Sequence, residues 1–586
     1  MMRSKWLALF LMLGAMVAAA QQTPPALFFS DLSAGPNSGG ESVNGFSGAY
    51  VTLYGNFFGS TQGTSSVTWN GSSCLRVVSW GTTWLWFQKI VVQLGSSCAA
   101  GTGNFVVTVS GAASNGIPFT VNSGSIYFVS TSGNDSASGS FSSPWKTIPK
   151  AVQTAGAKPG SIIYLMNGVS QTADDGQSWN AAVTLRNEWC KGTSAQPDAL
   201  LAYPGATVQI GPTSGSTPVN GLRSTDFTAS SGACAGNWTI GGISFRGIGP
   251  VGLGGGTNWR FIGNDVSNPS ATGGGGGGAA WETTLTTYVK AYGNYFHDLN
   301  LASTDRLEQG VYPSTDSNHT DLGWNEIYNS RGRAGLQIHS SPVDSNTGFI
   351  MYDILIHDNK IHGTAEEGII VDTVDPSQGP VQVYNNVIYD TGRDGAGTAI
   401  YRAESSDFST AHGIGSGTIE FYNNTIYCQA GEGCWGATFE VHNSQPVVDR
   451  VRNNLLYAVT GKPYWIPSVS NWALQGGSEF CQNNDTPSNC PNFTGANNLV
   501  FGNGAATFPN LLSGSLNTDP KLVSPGTDFH LQSGSPAIGA GVAIPGLTRD
   551  IDGRLRPNPP SIGAYEFGSG TTVVVQPPTA LTATPH

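Results

Sequence analysis

Apolar and polar residues alternate in short runs along most of this chain, with glycine-rich turns between them. Ala49-Tyr50-Val51-Thr52-Leu53-Tyr54 and Asn104-Phe105-Val106-Val107-Thr108-Val109 are two early examples. Alternation with period 2 predicts strands with one buried face. From about residue 260 a longer period is laid over it. An Asn-x-apolar element recurs at Asn264, Asn294, Asn325, Asn359, Asn386, Asn424, Asn454 and Asn498, at intervals of 27 to 44 residues. Two residues after the first seven stand Val266, Phe296, Ile327, Ile361, Ile388, Ile426 and Leu456. Before them, apolar or small pairs recur, such as Val289/Ala291, Ile354/Ile356, Val381/Val383 and Ile419/Phe421. Such a repeat predicts stacked coils, each burying its face against the next. A buried asparagine needs its amide hydrogen-bonded, and stacking one on the next predicts an asparagine ladder at a turn.

The pattern divides the chain. Residues 27–122 predict a small β-sandwich, 125–505 the coils, 506–567 a closing cap and 568–586 a flexible tail without a core pattern. At the entry to the coils, Ser125–Val129, Pro144–Val152 and Pro159–Leu165 predict a strand, a short amphipathic helix and a second strand. These would cover the open end of the stack, which otherwise exposes sheet edges and apolar core.

The chain begins Met1-Met2-Arg3-Ser4-Lys5, runs apolar from Trp6 to Val17 and continues Ala18-Ala19-Ala20-Gln21. This is the layout of a secretory signal peptide over residues 1–20. The run is shorter than the roughly 20 residues of a membrane span, so no transmembrane segment is expected. Charged residues make up 11% and glycine 79 of 586, with a net charge of −12. This composition fits an all-β extracellular protein, and with no basic stripe it argues against nucleic-acid binding. Eight cysteines in an exported chain predict disulfides. Nearest-neighbour pairing gives 74–98, 190–234, 428–434 and 481–490, although spacing alone does not fix connectivity.

Gly48–Gly59 resembles a segment of the immunoglobulin-like IPT/TIG module. The asparagine repeat, with its flanking apolar positions, resembles the right-handed parallel β-helix proteins of the pectate-lyase superfamily. Together they imply an all-β chain, a right-handed parallel β-helix preceded by a small immunoglobulin-like β-sandwich. The second resemblance specifies the fold and leaves the reaction open.

Candidate chemistry lies on a further strand of each coil. Aligning Gly310–Ser314, Gly335–His339, Gly368–Asp372, Thr398–Arg402 and Gly436–Glu440 places Ser314, His339, Asp372, Arg402 and Glu440 in one outward column, with Glu282 at its end. Asp372 would orient the His339 imidazole for proton transfer. Arg402 would hold a substrate carboxylate, and Asp372 with Glu440, roughly 9–10 Å apart on ladder spacing, would form a hydrolytic pair. Lys290 is a second candidate base. Tyr292, Trp324, His357 and Tyr384, two residues before the ladder, form an aromatic column suited to sugar rings, and His297, Tyr328, His362, Tyr389, Tyr427 and Tyr457 form another. Glu366 and Glu367 would join Asp372 around calcium. The expectation is a secreted, monomeric carbohydrate-active protein that binds a polysaccharide and cleaves it as a lyase or glycoside hydrolase. The alternative is a non-catalytic surface or matrix adhesin or scaffold.

Overall fold

The computed structural model describes residues 23–568, except 178, 214–218, 225–233, 272–278, 304–307, 341–350, 395–397, 404–415, 429–438, 443–446, 460–492 and 503–511; the side chains of 403, 439–442, 493 and 512 are also outside the description. The expected signal peptide and tail lie outside the described residues.

Three parallel sheets wind around one core as a right-handed β-helix. Sheet I has 13 described strands, from Ser125–Val129 to Leu512–Ser513. Sheet II has 11, from Ser170–Gln171 to Leu499–Gly502, and sheet III has 9, from Ala181–Thr184 to Phe439–His442. Each coil visits the sheets in that order, turning at the ladder asparagine between I and II. The inward positions are the anticipated ones: Ile354 and Ile356 on sheet I, Ile361 on sheet II, Ile369 and Val371 on sheet III, all fully buried.

The asparagine ladder runs unbroken from Asn264 to Asn498. Each Nδ2 donates to the Oδ1 of the next asparagine at 2.9–3.1 Å. Each Oδ1 from Asn294 onward also accepts the backbone N–H of the asparagine one coil earlier. The residue just before each ladder asparagine has a positive φ: Gly263, Gly293, Trp324, Asp358, Asn385, Asn423, Asn453 and Asn497. Glycine, asparagine and aspartate tolerate this left-handed conformation. Trp324, at φ 57°, is the bulky exception.

The entry is closed as expected. A helix, Ile148–Ala155, starts at the Thr147 cap and buries Ile148, Ala151, Val152 and Ala155 in the coil core. Two disulfides, Cys74–Cys98 and Cys190–Cys234, are present. Cys428 is also disulfide-bonded, while Cys434, Cys481 and Cys490 lie outside the described residues.

Ahead of the coils, a four-stranded antiparallel sheet faces a five-stranded one. Leu53, Ile90 and Val92 of the first pack with Trp69, Phe105 and Phe119 of the second. This sandwich lies against the outer face of sheet I. Ile162, Tyr164 and Leu201 of the coils enter its core, and the Tyr164 hydroxyl donates to the Tyr50 carbonyl at 3.0 Å.

The closing segment runs along the flank of the later coils. Asn385 and Asn423 donate to the carbonyls of Arg549 and Ser561, Phe529 packs on Tyr389 and Tyr427, and Arg556 pairs with Glu566 at 2.7 Å. Sandwich and closing segment meet. Asn56 Nδ2 donates to the Asp552 carbonyl at 3.2 Å, and Arg554 lies 5.1 Å above the Phe57 ring.

Candidate functional site

A β-helix presents three outer faces, and this chain covers parts of two of them with itself. On sheet I, Tyr292 aligns with Gly323, then His357, Tyr384 and Tyr422. Trp324 falls one residue beyond that line. The rings at the start of this column do not face solvent. Phe29 packs on Tyr292 and Trp324 at 5.4 and 5.3 Å, Phe28 stacks on Trp324 at 5.6 Å, and the Trp84 indole N–H donates to the Gly293 carbonyl at 2.7 Å. The expectation that Tyr292, Trp324 and His357 bind sugar rings is therefore corrected: the sandwich covers Tyr292 and Trp324, and His357 is buried between Trp324 and Tyr384. Tyr384 extends the stack, parallel to His357 at 5.0 Å and to Tyr422 at 4.8 Å.

His357 is the electrostatic centre of this contact. Its Nε2 lies 2.8 Å from Asp321 Oδ1 and its Nδ1 2.8 Å from Asp358 Oδ2. Burial pulls its pKa down, but the two carboxylates more than offset this and raise it to about 9. Tyr292 donates its hydroxyl to Asp321. Lys290 also belongs to sheet I, next to Asp321 in register, and so does not converge with His339 on sheet III.

On sheet II, His297, Tyr328, His362, Tyr389, Tyr427 and Tyr457 do form one column. Phe529 covers Tyr389 and Tyr427. Toward the other end, His297 sits between Asp265 at 3.3 Å and Asp298 at 2.9 Å, and His362 bonds Glu326 at 3.0 Å.

Sheet III carries the remaining outer face. Ser314 bridges His339, and Ile338 pairs with Val371, so Asp372 follows His339 in the outward column as expected. Asp372 Oδ2 lies 3.1 Å from His339 Nδ1, with the Thr373 hydroxyl 3.3 Å from the same nitrogen. This fixes the ring and leaves Nε2 directed away from both partners.

Beyond Asp372 the expected column breaks. Arg402 pairs with Val371, not Asp372, and Ala403 takes the outward place. The register follows the core. Ile400 stacks on Ile369, a larger apolar fill than Ala399 would supply, and alternation then turns Arg402 inward. Arg402 is fully buried, with Nε 3.2 Å from Asp449 Oδ1 across the helix interior. It therefore does not face a substrate carboxylate. Glu440 pairs with Tyr401, two positions back along the strand from the residue aligned with Asp372. Its Cα is roughly 12 Å from that of Asp372 on ladder spacings of ~4.8 Å and ~3.3 Å per residue. The expected column is therefore broken by two residues at this coil, and the Glu440 side chain lies outside the description. Glu367 opens the strand that Asp372 ends and Glu366 precedes it, roughly 16–20 Å from Asp372 by the same rise, so the three do not gather around one cation. Among the described residues no group of three or more His, Cys, Asp or Glu is arranged to hold a metal.

Alternation places a second outward row beside the first: Glu282, Tyr312, Gln337, Ile370 and Tyr401 in register. Burial, with the fields of Glu282 and Asp372, pushes the Tyr312 pKa up to about 12, against the opposing pull of Ser314 and Arg333. Tyr312 stays protonated at neutral pH, two residues from the His339 row. Gln337 is buried, and its Oε1 has no hydrogen-bond partner among the described residues. Burial pushes the Glu282 carboxyl up to about 7 against the pull of Arg223 and Thr284. Sequence reasoning missed Tyr312 and Gln337, although they share the outward phase of Ser314 and His339.

No protein-family model and no curated protein matches this chain. Among solved structures it is similar to one described as the complex of XylC with xylose, at 12% identity, covering 75% of this chain and 98% of that one, with a TM-score of 0.45. It is similar also to a rhamnogalacturonan lyase, at 13% identity over 58% and 85% of the two chains with a TM-score of 0.32. A third is a family 28 exopolygalacturonase of Yersinia enterocolitica, at 10% identity over 85% and 88% with a TM-score of 0.30. Likeness this slight transfers no residue role, reaction or substrate.

Proposed function

We propose that this chain is a secreted carbohydrate-active protein that cleaves a uronate-containing polysaccharide by β-elimination on the outer face of sheet III. The observation that carries this reading is the His339–Asp372 pair, whose 3.1 Å contact holds Nδ1 and frees Nε2, with Tyr312 in the adjoining outward row. Asp372 fixes the tautomer that makes Nε2 the acceptor. His339 Nε2 takes the C5 proton of a uronate. The electron pair forms the C4–C5 double bond as the C4–O bond breaks, and the Tyr312 hydroxyl protonates the departing oxygen. Arg333, whose charge is felt at Tyr312, is the candidate partner for the substrate carboxylate, a role that buried Arg402 does not fill. Covering of the other faces by sandwich and closing segment also favours sheet III.

The test is incubation of the secreted protein with plant, algal and host polysaccharides, with calcium and with chelator, reading ultraviolet absorbance of unsaturated ends alongside reducing ends. Absorbance that rises with reducing ends and falls by about 10²–10⁴ in His339→Ala supports the reading. Reducing ends without absorbance would mean hydrolysis. Silence across the panel would favour the adhesin or scaffold.

A further inference from the structure

A cleft of about 550 Å³ lies between the sandwich and the first coils, bordered by Asp31, Ser79, Thr82, Trp84 and Lys89 on one side and by coil residues including Tyr203 and Asp265 on the other; the Asp265 carboxylate is already paired with Arg246 and His297. Ligand sites favour domain interfaces and volumes of about 300–1,000 Å³. Trp84 is fixed in place, because its indole N–H donates to the Gly293 carbonyl at 2.7 Å. Lys89 is half-buried, with Nζ 4.9 Å from the centre of the Trp84 ring. It forms no ion pair among the described residues. Asp31, whose field reaches it, spends Oδ1 on the backbone N–H groups of Leu32 and Thr52 at 2.6 and 2.8 Å.

With Asp31 held by the backbone and Asp265 paired with Arg246 and His297, the half-buried Lys89 ammonium is the group left to receive an anion. The rest of the lining narrows the choice. One cation suits one carboxylate, whereas a phosphate is usually gripped by several donors. Flat aromatic surface beside the hydroxyls of Ser79 and Thr82 suits a ring that is apolar on its faces and hydroxylated at its edge. We propose that this cleft binds a short acidic saccharide, with its carboxylate on Lys89 and a sugar ring against Trp84. The inference rests on residues separate from sheet III and holds whether or not that face is catalytic.

Calorimetric titration of the whole protein with trigalacturonate, and with neutral maltotriose as control, tests it. The expected result is trigalacturonate binding that weakens about tenfold or more in Lys89→Met, the loss of one charge-assisted contact, and recovers in Lys89→Arg, with maltotriose weak throughout. Thr82→Trp, which fills the cleft and leaves the charge, should also block trigalacturonate, so the idea remains testable if Lys89→Met fails to fold. Trigalacturonate binding that both Lys89→Met and Thr82→Trp leave unchanged would place the ligand elsewhere and overturn the proposal. So would absence of binding to the unmodified protein, or equal affinity for maltotriose.

Discussion

Arg402 and Asp449 face each other across the inside of the β-helix, Nε 3.2 Å from Oδ1, with neither side chain exposed. Removing one partner from a buried pair typically costs about 3–5 kcal/mol. Asp449→Ala should lower the urea midpoint accordingly. The double replacement Arg402→Met/Asp449→Leu should cost much less than the two single changes added together. Additive losses in a double-mutant cycle would mean that the pair is not coupled.

The ladder predicts a similar cost at its middle and at its last rung. Asn359→Ala removes the acceptor of both Asn325 N–H and Asn325 Nδ2 and strands two buried donors at about 1–3 kcal/mol each. Asn498→Ala, at the last rung, likewise removes the acceptor of Asn454 N–H and Asn454 Nδ2, because the Ser515 hydroxyl serves Asn498's own backbone N–H and replaces neither bond. Thermal melting should show both variants lower than the unmodified protein by several degrees; an unchanged melting temperature in either would mean that its rung is not holding the turn.

His357 predicts alkaline lability. Its folded pKa, about 9, stands above the unfolded value near 6.5. The stability it contributes is therefore complete below about pH 6.5 and is lost as pH rises through 9. At about 1.4 kcal/mol per pKa unit this amounts to about 3 kcal/mol. The Asp321 shift reflects the same contact and is not added again. His357→Gln should be less stable at pH 7 and should lose most of the decline between pH 7 and 10, as read by denaturant titration at each pH. A decline identical in both proteins would contradict the assignment.

Trp324 is the ladder-turn residue least suited to its φ of 57°. Glycine there would recover about 1–2 kcal/mol of left-handed strain and lose stacking on Phe28, Phe29 and His357. We expect a net loss of about 1–3 kcal/mol for Trp324→Gly, together with faster proteolysis in the 122–125 linker as the sandwich loosens. Unchanged protease sensitivity would mean that Trp324 does not anchor the sandwich.

The ladder, the inward columns and the capping helix were legible because each follows from local alternation and a fixed offset from an asparagine. The His339–Asp372 contact was legible for the same reason, since both strands begin with glycine and carry the same apolar spacing. Alignment failed at the next coil. Thr398 was matched to Gly368, and choosing Ile400 over Ala399 for the core shifts everything after it by one residue. A side chain as polar as Arg402 argues for the surface until its partner, 47 residues away on another sheet, is known. The aromatic column failed differently. Its register holds for Tyr292, His357 and Tyr384, but alternation reports which way a ring points, not whether another domain lies over it.

The bond from Asn56 to the Asp552 carbonyl joins segments almost 500 residues apart in sequence, and it spans the stack from outside. The asparagine ladder by itself sets no length, since any coil can be followed by another. An inserted coil would carry the closing segment about 4.8 Å further from the sandwich and pull that bond apart. The sandwich and the closing segment thus act as a ruler laid alongside the coils, and the number of turns between them is gauged by their meeting.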